Sequence, residues 1–379
     1  MEEKNIEQLQ DFLGLKSKIL LGPGPTNIDE RVRRALSEQT ISHLDPDFFN
    51  ILDNISDLLR EVFQTKNKIT FAVSGTGSAG MEMAMANVLE KEDKILVLKN
   101  GVFGERMSDV ASRYGASVIE MSVDWGQTFD QEKVVEKIKS IKNLKAVSIV
   151  HAETSTGALQ GLSYIGNYLK TTDVIFIVDT VTSLSGIDVK TDDWNIDVCY
   201  SGTQKCLSVP PGLSPITFSN KALNKIQQRT TKIASWYLDL TMLINYWGSE
   251  RVYHHTAPIN MLYALNEGLS ICHEEGLDRR FARHKENGDY FDSKLEEMGI
   301  KPFIDKTKYS SLPMLKSIFI PDGIDDSSFR QNLLLKHNIE IGSGLGPTKG
   351  KIWRIGVMGH NSRKDIIDTL FNVLGLYLA

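Results

Sequence analysis

The chain has 379 residues, 41% hydrophobic and 24% charged, an ordinary globular composition that excludes a disordered or fibrous protein. Lys plus Arg total 43 against 48 for Asp plus Glu, a net charge of −5, so no cationic surplus is available for a nucleic-acid backbone. Cys199, Cys206 and Cys272 are an odd number without CxxC spacing, and no apolar run approaches the ~18 residues of a bilayer span, so neither disulfides, nor a metal centre, nor a membrane role is expected.

The start, MEEKNIEQLQ, is acidic and polar, unlike a secretory signal, and the ending GLYLA is not Ser-Lys-Leu; the expected compartment is the cytoplasm. Residues 1–17 read as a polar helical arm suited to packing on a partner subunit. LLGPGPTN follows, a turn stiffened by two prolines. From about Thr70 to Ser219, short apolar runs alternate with helical patterns: ITFAVSG, KILVLKN, ASVIEM, KAVSIVHA, VIFIVDT, DVCYSG and SPITFS. This alternation predicts an α/β fold with a mainly parallel seven-stranded sheet flanked by helices, and a ligand site along the carboxyl ends of the strands. After Cys272 come a charged helix, the strand candidates MLKSIFIP and IEIGSGLG, and a closing helix from about Arg363, which predict a smaller α+β domain. The expected division is an arm over 1–17, a large domain over 18–272 and a small C-terminal domain over 273–379.

Three motifs on the expected strand ends carry chemistry. Ser74-Gly75-Thr76-Gly77-Ser78-Ala79-Gly80 sits between a strand and a helix, where free backbone N–H groups cradle a phosphate. It also matches GxGxxG spacing, but the acid that a dinucleotide site wants about 20 residues on falls near Asn100. Asp179 ends VIFIVD and reads as a metal ligand, a helix cap or the anion that keeps a heterocyclic nitrogen protonated. Lys205 follows 26 positions later in YSGTQKC, as a solvated lysine or a Schiff-base amine. Phosphate loop, aspartate and lysine in that order on one sheet edge are what pyridoxal phosphate needs. Arg354, in the apolar frame KIWRIG, suits a substrate carboxylate or a structural ion pair. His151 reads as a buried, hydrogen-bonded residue, and His254 and His255 as packed or exposed residues without a chemical role.

With LLGPGPTN, SGTGSAGMEMA, NGVFGERM, HAETSTGALQ, VDTVTSLSG, YSGTQKCLSVPPG, YHHTAPI and GLGPTKGKIWRIGVMGHN in this order, the chain resembles the alanine–glyoxylate and serine–pyruvate branch of the class-V aminotransferases, enzymes of pyridoxal-phosphate fold type I. The resemblance implies a homodimer performing ping-pong transamination between a small amino acid, alanine or serine, and glyoxylate or pyruvate. It further implies that Lys205 and Asp179 are catalytic, that Phe103, in place of the tryptophan of some relatives, and Val181 sandwich the cofactor ring, and that Thr154 approaches the ring hydroxyl. Thr76, Gly77, Ser78 and Gln204 would hold the phosphate, with Tyr253 and Thr256 reaching in from the other subunit. Arg354, Pro23 and Gly24 would hold the substrate carboxylate.

The ureidoglycine–glyoxylate aminotransferases share SVP and KIWRIG but have glutamine where His43 stands and asparagine where Tyr253 stands, which ranks that branch second. A 2-aminoethylphosphonate-type aminotransferase, a cysteine desulfurase and a non-catalytic subunit of a larger assembly are the other readings. Cys199 and Cys206 read as packed small residues rather than a mobile nucleophile.

Overall fold

A computed structural model describes residues 15–378; most of the expected arm, residues 1–14, lies outside the described residues. In chain order the elements begin with β1 (Ile19–Leu21), α1 (Glu30–Leu36), α2 (Pro46–Val62), β2 (Ile69–Ser74), α3 (Gly77–Val88), β3 (Lys94–Lys99), α4 (Val102–Arg113) and β4 (Ser117–Ser122). Then come α5 (Gln131–Ser140), β5 (Leu144–Val150), the short β6 (Ala152–Glu153) and β7 (Ala158–Leu159), α6 (Ser163–Leu169), β8 (Ile175–Asp179), β9 (Val198–Tyr200) and β10 (Leu213–Phe218). The remainder is α7 (Asn220–Gln227), α8 (Leu240–Trp247), α9 (Ile259–Glu275), α10 (Leu277–Glu297), β11 (Leu315–Phe319), α11 (Asp326–His337), β12 (Ile339–Ser343), β13 (Ile352–Gly356) and α12 (Lys364–Leu378).

All seven apolar runs form one sheet in the order β2-β10-β9-β8-β5-β3-β4. Only β10 runs antiparallel to its neighbours. The strands are apolar on both faces because helices cover both. Along β3, Leu96 and Leu98 pack on one side and Ile95 and Val97 on the other; Phe176 and Val178 alternate with Ile175 and Ile177 along β8 in the same way. One face is covered by α2, α5, α6 and α9, through side chains such as Leu52, Val134, Leu169 and Leu265. The other is covered by α3, α4, α7 and α8, through Met83, Met107, Ile226 and Leu243. The helix starts follow local chemistry: Asp45 caps α2 by accepting from Asp47 N–H, with Pro46 at the first turn, and Asp130 caps α5 in the same manner.

The second sheet is four-stranded, in the order β1-β12-β13-β11, and packs on α10, α11 and α12 around Phe291, Leu333, Trp353 and Leu370. Its edge strand β1 comes from the start of the chain and pairs parallel with β12, Ile19 opposite Ile339. The connection from β1 therefore carries Pro23 and Gly24 from the small sheet toward the carboxyl ends of the large one. The residue pair 272/273, the expected boundary, falls inside α9, which stops at Gly276 in a positive-φ conformation.

Candidate functional site

The phosphate-loop candidate is the turn from β2 into α3. Thr76 occupies the N-cap of α3 without a side-chain cap bond, so the first backbone N–H groups of the helix stay available to an anion. Gly77 is buried against Gly202, whose Cα would lie 3.5 Å from a Cβ placed at residue 77. Beside this cup, Gln204 Oε1 is buried without a hydrogen-bond partner, and Arg106, from α4, donates to Ser78 Oγ at 3.3 Å.

Asp179 ends β8, 2% exposed, and its Oδ1 accepts from Val181 N–H at 2.8 Å. Burial pushes its carboxyl up to about 6, against the pull of the Val181 N–H, Lys205 and Arg106. The Tyr200 hydroxyl, at the end of β9, is buried next to Asp179, and burial together with that carboxylate holds its pKa well above the ordinary phenol value.

Lys205, 7% exposed, lies in the loop after β9 and donates to the carbonyl of Pro23. Burial and the positive charge of Arg354 lower its pKa to about 8, against the pull of Asp179 and Glu153. Gly24, at φ +112°, leaves the lysine its path, since a Cβ there would lie 2.6 Å from Nζ. The expected substrate contact Pro23 is thus brought onto the lysine itself.

Arg354, on β13, is buried and donates through Nε to Ser343 O at 2.7 Å and through Nη1 to Thr154 O at 3.2 Å. No carboxylate pairs with it in the ion-pair pattern of the described residues, which sets aside the structural ion pair. Burial lowers its pKa to about 10, which leaves it cationic at neutral pH. Thr154 is buried with its hydroxyl 2.5 Å from that of Thr182.

Phe103 lies in the first turn of α4, with the Arg106 guanidinium 4.9 Å from its ring centroid. Glu153, which the sequence reading did not single out, anchors this turn: Oε2 accepts from Phe103 N–H at 3.3 Å and Oε1 from Ser155 N–H at 3.0 Å. Burial pushes its carboxyl up to about 7. Its sequence signal was a charged residue inside the small, otherwise uncharged run AETSTGA. Arg106 and Tyr200 were missed as well, because only the sheet order and the helix turn place them beside Asp179 and Ser78.

Tyr253 is 56% exposed and Thr256 is exposed too. Between them His255 Nε2 meets Ser74 Oγ at 2.9 Å, which ties this loop to the residue just before the cup. His254 stacks on Trp236 at 4.4 Å. His151 is buried, with Nδ1 2.9 Å from Ser183 Oγ. The three cysteines are free and buried, and burial raises Cys199 and Cys206 to about 12, the opposite of what a nucleophilic thiol needs.

Pyridoxal phosphate fits this donor set: an open helix N-terminus for its phosphate, a buried aspartate for its ring nitrogen, and a lysine of lowered pKa for its carbonyl. Comparisons with known proteins agree. The family model for aminotransferase class-V matches residues 20–367. An (S)-ureidoglycine–glyoxylate transaminase from Bacillus subtilis (strain 168) is 40% identical over 377 residues, covering 95% of this chain and 89% of that protein. An alanine–glyoxylate aminotransferase from Rattus norvegicus is 38% identical over 371 residues, covering 97% and 89%. The crystal structure of an alanine–glyoxylate aminotransferase from Nostoc sp. superposes with a TM-score of 0.94 at 44% identity, covering 100% of both chains. The chain therefore belongs to the class-V aminotransferases, pyridoxal-phosphate-dependent transaminases of fold type I.

Proposed function

We propose that the chain transfers an amino group from a small L-amino acid, alanine or serine, to glyoxylate or pyruvate, and that (S)-ureidoglycine is the alternative donor. The observation that carries the reading is a buried Arg354, with no carboxylate partner among the described residues, beside a lysine of lowered pKa. His43 and Tyr253, whose rings lie 5.3 Å apart, support the alanine branch over the ureidoglycine branch, while the Bacillus relative supports the alternative.

When bound, pyridoxal phosphate supplies an electron sink for the charge that develops at the α-carbon of the amino acid. The guanidinium of Arg354 takes the substrate α-carboxylate in a charge-assisted fork and so fixes which bond at the α-carbon faces the lysine. Lys205 Nζ, once free as an amine, would accept the α-proton and later give it back. An amine whose pKa is about 8 is matched to both halves of that transfer near neutral pH. Asp179 would hold the proton on the ring nitrogen. Keeping that carboxylate ionised in its dry site costs about 3 kcal/mol, from a pKa raised from 3.8 to about 6, and a cationic N–H offsets the cost. Thr76, Gly77, Ser78 and Gln204 would hold its phosphate, Phe103 and Val181 would flank its ring, and Thr154 would serve its ring hydroxyl. Release of the keto acid and entry of glyoxylate reverse the path.

The same reading includes a homodimer in which the exposed Tyr253 and Thr256 complete the partner's phosphate cup. A cytoplasmic location belongs to it too; no helix among the described residues is long and apolar enough to cross a membrane. The division into arm, large domain and small domain is proposed as expected, except that Ile19–Leu21 belongs with the small domain through its pairing with β12. Initial rates with glyoxylate as acceptor test the function: alanine or serine exceeds (S)-ureidoglycine as donor by at least about tenfold in kcat/KM, and the reverse order moves the chain to the alternative.

A further inference from the structure

A second cavity, of about 710 Å³, opens between the two sheets' layers, and neither Lys205, Asp179 nor Arg354 lines it. Its size suits a small organic ligand, and clefts between layers are common ligand sites. His151 and Trp194 line it from the large sheet's side; Phe281, Asp292, Lys306 and Lys316 line it from the other.

The lining carries three lysines and three aspartates, but they are unevenly placed. Lys306 and Lys316 both reach the single carboxylate of Asp292, Lys316 at 2.8 Å, which leaves one ammonium in excess. Of the other lining charges, Asp289 and Lys285 pair with each other at 2.5 Å on the same wall, and Asp188 lies 3.5 Å from Lys190. The Lys316 side chain is only 6% exposed, and burial, with Lys306 adding to it, lowers its pKa against the pull of Asp292 and Asp289. The opposite wall is flat and aromatic. Trp194 stands edge-on to the His151 ring at 5.2 Å, and that ring is neutral, with burial lowering its pKa to about 4.

We propose that this cavity is a binding site for a small organic monoanion with a flat apolar body, an arylcarboxylate in class, its carboxylate on the Lys306–Lys316 pair and its ring against Trp194 and Phe281. Such a ligand touches both layers one step from the catalytic groups. The backbone N–H of His151 donates to the backbone carbonyl of Asp179 at 2.9 Å, and Ser317, next to Lys316, lies in register with Arg354. The two layers are also joined directly at backbone level, Leu159 N to Ser310 O and Leu312 N to Gly157 O, each at 2.9 Å.

Calorimetric titration of the holoenzyme with phenylacetate, read alongside Trp fluorescence, tests the assignment. One site per chain is expected, with affinity unchanged within about twofold in Arg354→Met, which removes the carboxylate fork of the catalytic site, and weakened at least about tenfold in Lys316→Met. Because Lys316 is buried against Asp292, a second variant guards against a folding defect. Ala282→Trp, on an exposed position of α10 that lines the cavity, fills the space without touching a buried charge and abolishes the heat while turnover persists. No binding up to about 10 mM, binding that survives Ala282→Trp, or binding lost in Arg354→Met overturns the proposal.

Discussion

A Cβ built on Gly24 would stand 2.6 Å from Lys205 Nζ, so the turn that follows the first strand of the small sheet closes directly over the lysine at the carboxyl edge of the large one. Two parts of the chain 181 positions apart meet there at the limit of contact.

Replacing Gly24 with alanine forces both that contact and an unfavourable φ of +112°, which together cost about 1–3 kcal/mol of local strain unless the lysine moves. Gly24→Ala is expected to lower kcat by at least about tenfold and to slow covalent attachment of the cofactor, measured by stopped-flow absorbance, with far-UV circular dichroism unchanged.

The depressed pKa of Lys205, about 8 rather than 10.5, raises the neutral-amine fraction at pH 7.5 by about two orders of magnitude. Reconstitution of the cofactor-free protein should therefore accelerate with pH and level off above about 8. A rate that keeps rising tenfold per unit through pH 9.5 would show an ordinary lysine. For stability the sign is fixed too: the unfolded chain binds the proton more tightly, so the contribution of Lys205 grows as pH rises from about 8 to 10.5.

Asp179 has the opposite sign. Its folded pKa lies above its unfolded value, so the stability it contributes is full below pH 3.8 and is lost as pH rises through about 6. Asp179→Asn is expected to leave the melting temperature of the cofactor-free protein at pH 7 unchanged or raised, to flatten this pH dependence, and to cut turnover by at least about a hundredfold. Near-normal turnover would remove Asp179 from the chemistry.

Hybrid dimers check the shared site. Mixing Lys205→Ala and Tyr253→Ala chains, each inactive or impaired alone, leaves one intact site in each hybrid if Tyr253 serves the partner's cup, so a 1:1 random mixture recovers about a quarter of native activity. If Tyr253 serves its own chain, no recovery follows.

Much of this fold is visible in the chain because each large-sheet strand is a short apolar run ended by a polar residue, as VIFIVD ends at Asp179 and ITFAVS at Ser74. Local rules reach that far. They do not reach β1, three residues whose pairing with Ile339–Ile341 is set by contacts over 300 positions away, and so the small sheet's edge strand was read as a turn. Nor do they reach Glu153, whose carboxyl matters because the fold dries it against the first turn of α4, nor Tyr200, whose hydroxyl is carried to Asp179 by the pairing of β8 with β9. Lys205 and Arg354 were legible as residue types in small or apolar frames; their proximity was not.

The most direct test is the absorption spectrum of the purified holoenzyme during addition of L-alanine and then glyoxylate. The account predicts that the visible band of the lysine-bound cofactor is lost as pyruvate forms, and returns as glyoxylate is converted to glycine, one equivalent of each per site. A band that alanine and serine leave untouched, but that (S)-ureidoglycine discharges, would contradict it.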